Sequence, residues 1–353
     1  HGFLGWGREE MHQYYYWGGK DDYESMLKNE GYDVYTLSVG PISSNWDRAI
    51  EAFYQIKGGQ VDYGNNMAEK YNIDPRPNNK IYKGLYQKWD ENNPIHIIGH
   101  SQGGQTAKML EFLLKSTIDG EGSPLLSTSN NRWIKSITTI STPHNGTTLV
   151  PIMMNAFPFA LNLAPWFGII NNKYIDKLYS FDLEHWGLKR NTGETFNNFF
   201  TRISNSSIID EKALCSWDLS IEGSKEFNSS YISDANVYYF SFSTYASIKK
   251  SDSNHHKPSK KLSFHLWPTS MLMGNFPGVP NELWYENDGI CNTYSMMSPE
   301  GEKLIQYKND AIPGVWQHIK KLHIDHQEII GHGVTDKENE IIFALYKEHS
   351  QLL

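Results

Sequence analysis

Three observations predict an α/β fold with a mainly parallel sheet covered by helices on both faces. Short apolar runs alternate with helix-compatible segments along the chain, the pattern of a sheet buried between two helical layers. One of those runs, Pro94–Ile98, feeds straight into Gly99-His100-Ser101-Gln102-Gly103 and then into a helix-compatible stretch from Gln105 to Lys115. The 353 residues, 39% of them hydrophobic, suffice for one large domain with a sizeable core, and no internal repeat or low-complexity tract marks a linker. The chain is therefore read as one domain over 1–353, with insertions at 60–93 and 245–282 and a lid-like region at 147–185.

Taken in order, residues 1–19 form a Gly- and aromatic-rich loop ending Tyr16-Trp17-Gly18-Gly19. A loop at this point implies a core strand upstream of His1. Asp21 or Asp22 caps a helix to about Asn29. Val34–Val39 has the β-branched and aromatic content of a strand. Ser43, Ser44 or Asn45 caps a helix through Ile56, whose face Trp46, Ile50, Phe53, Tyr54 has helical spacing. Residues 60–93 are irregular and rich in Asn, Tyr, Lys and Pro. The elbow strand and its helix follow, then a polar loop at 116–132 and a strand over Trp133–Ile140. Glu194–Ile203 reads as a helix and Asn236–Ser243 as a buried strand. Asp336 is expected to cap the last helix.

The stretch Leu149–Ile170 is strongly apolar yet interrupted by Pro151, Pro158, Pro165 and Gly168, so it cannot be one straight helix. It reads either as a buried helix pair or as a flap over the site whose apolar face, rich in Met and Phe, meets lipid when open.

The strand, turn and helix around Gly-x-Ser-x-Gly form a context in which a serine hydroxyl is presented above a helix N-terminus. A serine is a weak nucleophile without a neighbouring base. Asp288, in the turn Asn287-Asp288-Gly289 placed after the last internal strand, is the best acid, although Asn-Asp-Gly is also an ordinary turn sequence. His326 is the best base by position, with His318, His323 and His332 as competitors. An oxyanion hole needs two backbone N–H groups. One comes from Gln102, the residue after Ser101. The other comes from the early loop His1-Gly2-Phe3, through Phe3.

The totals exclude other classes. A net charge of −8 argues against nucleic acid. No run of eighteen apolar residues spans a membrane. Cys215 and Cys291 are too few for a disulfide framework and lack metal-ligand spacing; one disulfide and two buried thiols both fit. No organic cofactor is implied.

The chain resembles the secreted true lipases of staphylococci and thermoalkaliphilic bacilli, which have the α/β-hydrolase fold. The resemblance runs through His1–Glu10, Tyr16–Gly19, Val39-Gly40-Pro41, Ser43–Arg48, Gly58–Gly64, Gly99–Thr106, Thr142–Gly146, Glu286–Ser295 and Val315–Gly331. It implies Ser101, Asp288 and His326 as a catalytic triad and Phe3 and Gln102 as oxyanion donors. It also implies a lid over 149–172, hydrolysis of acylglycerol esters at a lipid–water interface, and secretion. Carboxylesterase or phospholipase A1 activity is the alternative within the class, and a non-catalytic lipid-binding relative the alternative outside it.

Two metals are implied by the same resemblance, with departures. The family holds a structural zinc with two Asp and two His. Asp47 and Asp218 match the acids, but the histidine positions are Met67 and Ile73, and neither side chain replaces an imidazole. The insertion is slightly longer here, which leaves room for another ligand. The family also has a calcium site near the catalytic His loop. Glu328 matches one carboxylate, while the second acid position is Gly333, with Asp336 as a substitute.

Overall fold

The computed structural model describes residues 1–156 and 211–353, together with 191, 193–195, 198 and 202. Helix α1 (Tyr23–Asn29) starts at Asp22, whose side chain accepts from the Ser25 amide. Helix α2 (Asn45–Lys57) is capped by Ser44, which accepts from the Asp47 amide. The following segment holds β1 (Gly59–Gln60), α3 (Asn65–Tyr71) and β2 (Ile81–Tyr82), with β1 and β2 paired antiparallel. Strand β3 (Ile95–His100) leads into α4 (Gln102–Lys115), and β4 (Ile134–Ile140) leads towards α5 (Leu149–Ala156). After α6 (Cys215–Leu219) and α7 (Ile221–Asn228) comes β5 (Tyr238–Thr244). Beyond β5 come the antiparallel pair β6 (Ser247–Lys249) and β7 (His256–Pro258), then α8 (Trp267–Met273). Strands β8 (Leu304–Gln306) and β9 (Trp316–Leu322) and helix α9 (Asp336–Leu352) close the chain.

The main sheet has the order β3-β4-β5-β9-β8, and every pair in it is parallel. Residues of β4 and β5 are buried almost without alternation, as strands covered on both faces must be. Helices α2 and α4 pack together beside β3 and β4. The predicted parallel α/β architecture is thus present.

Several expectations need correcting. Val34–Val39 joins no ladder. Beside β3, the edge of the sheet, lies a cavity of about 530 Å³ lined by Val34, Leu37, Val39, Ile95 and Ile97 among others. The strand-like composition of 34–39 therefore has no adjacent strand to pair with. Side chains serve its amides instead: Thr36 N donates to Glu24 Oε2 at 2.7 Å, Ser38 N to Gln55 Oε1 at 2.9 Å and Val39 N to His1 Nε2 at 3.2 Å. Asp288 does not follow the last internal strand, because β8 and β9 come after it and β9 lies inside the sheet. The cap of α9 is Thr335, which forms a reciprocal box with Glu338, so Asp336 is the first helical residue and not the cap.

Of the proline-broken stretch, Leu149–Ala156 is helix α5; the rest of the expected lid, and most of the helix expected over 194–203, lie outside the described residues. The root of that stretch is anchored: Leu149, Ile152 and Met273 form a small buried cluster joined by Ile290. Both cysteines are free and buried.

The segment between α2 and β3 is tied to α2 by buried charge. Lys80 Nζ donates to Glu51 Oε1 at 2.5 Å and to Tyr63 Oη at 2.9 Å. The Tyr63 hydroxyl also donates to Glu51 Oε1, at 2.6 Å.

Lys108 is fully buried on α4. Its ammonium donates to Asn228 Oδ1 at 2.9 Å and faces the Phe227 and Tyr231 rings. Burial lowers its pKa to about 7, partly opposed by Glu302 and Glu111. Between that value and the unfolded value near 10.5 the folded chain binds fewer protons than the unfolded one, so stability should rise with pH. The slope is at most about 1.4 kcal/mol per pH unit. Urea midpoints at pH 7.5 and 9.5 should rise in the native protein and flatten in Lys108→Met. Equal slopes in the two proteins would count against this assignment.

Candidate active site

Ser101 sits between β3 and α4 with φ 56° and ψ −130°, a backbone conformation that non-glycine residues seldom adopt. Such a residue carries roughly 1–3 kcal/mol of strain, tolerated where the surroundings over-determine it. The flanking glycines are there for close approach. A Cβ on Gly99 would lie 2.5 Å from the Gly103 carbonyl carbon, and one on Gly103 would lie 2.7 Å from the His1 carbonyl oxygen.

The early loop runs directly over the serine. A Cβ on Gly2 would meet the Ser101 Cβ at 2.6 Å and the Tyr16 hydroxyl at 2.8 Å. The peptide between His1 and Gly2 is gripped at both polar ends. Arg48, fully buried, donates through Nη2 to the His1 carbonyl, and the Gly2 amide donates to Tyr16 Oη at 2.7 Å. The same arginine reaches the Gly40 carbonyl at 2.7 Å and Thr106 Oγ1 at 2.9 Å. This places Phe3 beside the elbow. The Gln102 amide is the first of α4, among the N–H groups a helix leaves unpaired at its start.

Asp288 is fully buried and surrounded by donors. Its Oδ1 accepts from the Ile290 and Cys291 amides at 3.0 and 2.8 Å. Its Oδ2 accepts from Thr244 Oγ1 and from His326 Nδ1, both at 2.7 Å. Because a carboxylate only accepts, the bond to His326 puts the imidazole proton on Nδ1 and leaves Nε2 with its lone pair. His326 lies next to the elbow: its ring centroid is 4.6 Å from that of His100, and His100 Nε2 is 2.9 Å from the His326 carbonyl.

The competing histidines are committed elsewhere. His318 bonds Ser243 Oγ within the sheet. His323 stacks on Tyr245 with centroids 4.6 Å apart. His332 bonds the Tyr16 carbonyl, and burial lowers its pKa to about 4. Thr244, Tyr16, His100 and Arg48 were not singled out by the sequence. Their roles depend on contacts far apart in the chain.

The zinc expected from the family does not fit. Asp218 lies near Asp47 and accepts the Asn45 amide, and its pKa is raised to about 7, mainly by burial. The other two positions, however, are apolar: Ile73 is buried and Met67 packs against the same core. Among the described residues, no group of three or more ligating side chains includes Asp47 or Asp218. The one group of that kind comprises Asp288, Cys291 and His326. There the thiol is pushed well up by burial and by Asp288, so it keeps its proton and is a poor ligand.

The calcium expectation has more support in donor chemistry. Glu328 is pushed up to about 7 by burial and by the neighbouring Asp325, with Glu338 adding to the effect. Oxygen-rich acidic pairs of this kind suit a hard cation. The carboxylate acting most strongly on Glu328 is Asp325, and among the described residues no group of three or more ligating side chains includes Glu328.

The chain is similar to known proteins over nearly its whole length. Residues 1–347 match the family described as "Lipase-like, C-terminal domain". A lipase of Staphylococcus epidermidis is 33% identical, covering 91% of this chain and 47% of that protein. The chain thus spans about half the length of the curated relatives it matches. EstA from Clostridium botulinum superposes with a TM-score of 0.87 at 34% identity, covering 97% of this chain and 85% of that one. Lipase 1 from Pelosinus fermentans gives 0.85 at 35% identity, covering 100% and 97%. With its elbow serine, its buried Asp–His pair and this near end-to-end match, the chain belongs to the lipase-like C-terminal domain family, the family of the staphylococcal lipases.

Proposed function

We propose that this chain is a lipase that hydrolyses carboxylic esters of acylglycerols through an acyl-enzyme. Ser101 attacks the ester carbonyl while His326 Nε2 takes its proton. Asp288 holds the imidazole in the required tautomer and stabilises the imidazolium. The Phe3 and Gln102 amides stabilise the tetrahedral oxyanion. His326 then returns the proton to the leaving alcohol, and water cleaves the acyl-enzyme. The observation that carries this reading is the 2.7 Å bond from His326 to Asp288 beside a strained elbow serine. Lipid-ester substrates and contact with a lipid–water surface follow from the names of the relatives and from the apolar stretch beginning at Leu149. The likeness to secreted lipases supports export. Among the described residues no helix is long and apolar enough to cross a membrane.

The test is labelling with a fluorescent alkyl phosphonate, followed by turnover of a triglyceride series below and above the solubility limit. One label per chain, on Ser101, with a rate that jumps above the solubility limit is the expected result. Labelling without such a jump would make the chain an esterase. No labelling would sink the hydrolase reading.

Calcium, when bound, would neutralise the acidic pair next to the His326 loop, with Glu328 and Asp325 as the residues to hold it. Adding calcium at about a hundred times its Kd should raise stability by about 2.7 kcal/mol. The melting temperature should fall on chelation and be indifferent to chelation in Glu328→Gln. A melting curve unmoved by chelator in the native protein would remove calcium from the description.

A further inference from the structure

Two buried side chains outside the proposed triad join its two distant halves. The Gly2 amide donates to Tyr16 Oη at 2.7 Å. Tyr16 Oη lies 2.7 Å from His100 Nδ1, and His100 Nε2 lies 2.9 Å from the His326 carbonyl oxygen. The direction of every bond is fixed by elimination. A carbonyl can only accept, so His100 carries its proton on Nε2. Its Nδ1 is then an acceptor and takes the Tyr16 hydroxyl proton. The hydroxyl oxygen in turn accepts from Gly2. No donor faces a donor along the chain Gly2, Tyr16, His100, His326. Tyr16 is 6% exposed, His100 1% and His326 5%, so none of these bonds competes with bulk water. Burial, reinforced by the nearby His326, holds the His100 imidazole well below its usual range and therefore neutral, as the pattern requires.

We propose that Tyr16 and His100 are positioning residues that hold the oxyanion loop and the base-bearing loop in register on either side of Ser101. Gly2 precedes the proposed donor Phe3, and the His326 carbonyl belongs to the proposed base. His100 is the residue before the nucleophile. The relay therefore joins all three working parts at once, through side-chain bonds that span 84 and 226 residues of the chain. Arg48 fixes the other end of the His1–Gly2 peptide, so the orientation of that peptide is set from both sides. Removing the Tyr16 hydroxyl leaves the Gly2 amide and His100 Nδ1 without their partner in a dry site. The loop is then free to rotate its N–H groups away from the developing oxyanion.

The inference rests on the reading of Ser101, Asp288 and His326 given above. The experiment measures kcat and KM on a soluble butyrate ester, with melting temperature, for Tyr16→Phe, His100→Gln and the double variant, beside Ser101→Ala. His100→Gln keeps a donor for the His326 carbonyl but offers no imidazole nitrogen to Tyr16, and it serves if Tyr16→Phe does not fold. The expected result is a fall in kcat of about 10- to 100-fold in each single variant with KM within about twofold, since a displacement of about 1 Å costs up to 10²-fold. The double variant should lose no more than the worse single, as residues acting as one unit do. Wild-type kcat in Tyr16→Phe or His100→Gln overturns the relay, as do losses that multiply in the double variant or a rise in KM that tracks a fall in melting temperature. A folded Ser101→Ala protein that keeps more than a hundredth of the native rate overturns the reading of Ser101 as nucleophile, so the two failures are told apart.

Discussion

Replacing Ser101 with alanine is expected to lower kcat for ester hydrolysis by about 10⁶-fold, the scale on which loss of a triad serine acts in other serine hydrolases. The substitution removes one oxygen and leaves the rest of the site in place. The left-handed backbone at 101 is held by β3 on one side and α4 on the other, and the Ser101 amide still donates to the Ile140 carbonyl at 2.9 Å. A folded, inactive protein is therefore the expected product, with any residual rate over water coming from the oxyanion amides and substrate binding. Hydrolysis of a soluble ester, measured with the melting temperature, checks both parts. Retention of more than a hundredth of the native rate by a folded Ser101→Ala protein would exclude Ser101 as the nucleophile.

Asp288→Asn should cost about 10⁴-fold in kcat, through the tautomer of the base rather than through the nucleophile. In the native site both Oδ2 donors, Thr244 and His326 Nδ1, point at a pure acceptor. An amide nitrogen placed there is itself a donor. Thr244 can turn its hydroxyl to accept, since Ser141 Oγ, 2.8 Å away, is able to exchange roles with it. The imidazole has no such freedom: to accept at Nδ1 it must move its proton to Nε2, the atom that should receive the serine proton. The loop itself should survive, because the remaining carbonyl oxygen can keep the Ile290 and Cys291 amides. Steady-state kinetics on the same ester will show it. A loss smaller than about tenfold would mean that Asp288 only braces its turn.

Much of the fold is legible in the sequence alone. The elbow is legible because its signal is local: the two motif glycines, a serine, an apolar strand and a helix all lie within Ile95–Lys115. The sheet is legible because its central strands are rich in β-branched and aromatic residues, as β4 (Ile-Lys-Ser-Ile-Thr-Thr-Ile) and β5 (Tyr-Tyr-Phe-Ser-Phe-Ser-Thr) are. Where the reading failed, the deciding partner lay elsewhere in the chain. Val34–Val39 has the composition of a strand, yet strand formation depends on a neighbour, and its amides are met by Glu24, Gln55 and His1. Thr335 and Asp336 are both good caps by type, and the Glu338 box decides between them. The turn marks Asp288 as a candidate, but its place among the strands is hidden because β9 reads as a short polar segment, Trp316–Leu322, with three basic residues among its seven. Tyr16 and His100 both stand in stretches that were singled out, the Tyr-Trp-Gly-Gly loop and the elbow. Nothing in either stretch indicates that their side chains meet.

The positive φ of Ser101 has a consequence for how such a chain changes over generations. Glycine at this position would release strain of roughly 1–3 kcal/mol, offset in part by the greater freedom glycine gives the unfolded chain, about 0.4–1 kcal/mol. A Ser101→Gly protein should therefore unfold at higher temperature than the native one while hydrolysing nothing, and a lower unfolding temperature would contradict the strain argument. Selection for sturdiness alone would drift towards that residue, and the serine persists only under selection for turnover. A library of this chain screened by heat resistance without an activity assay would enrich the inactive protein.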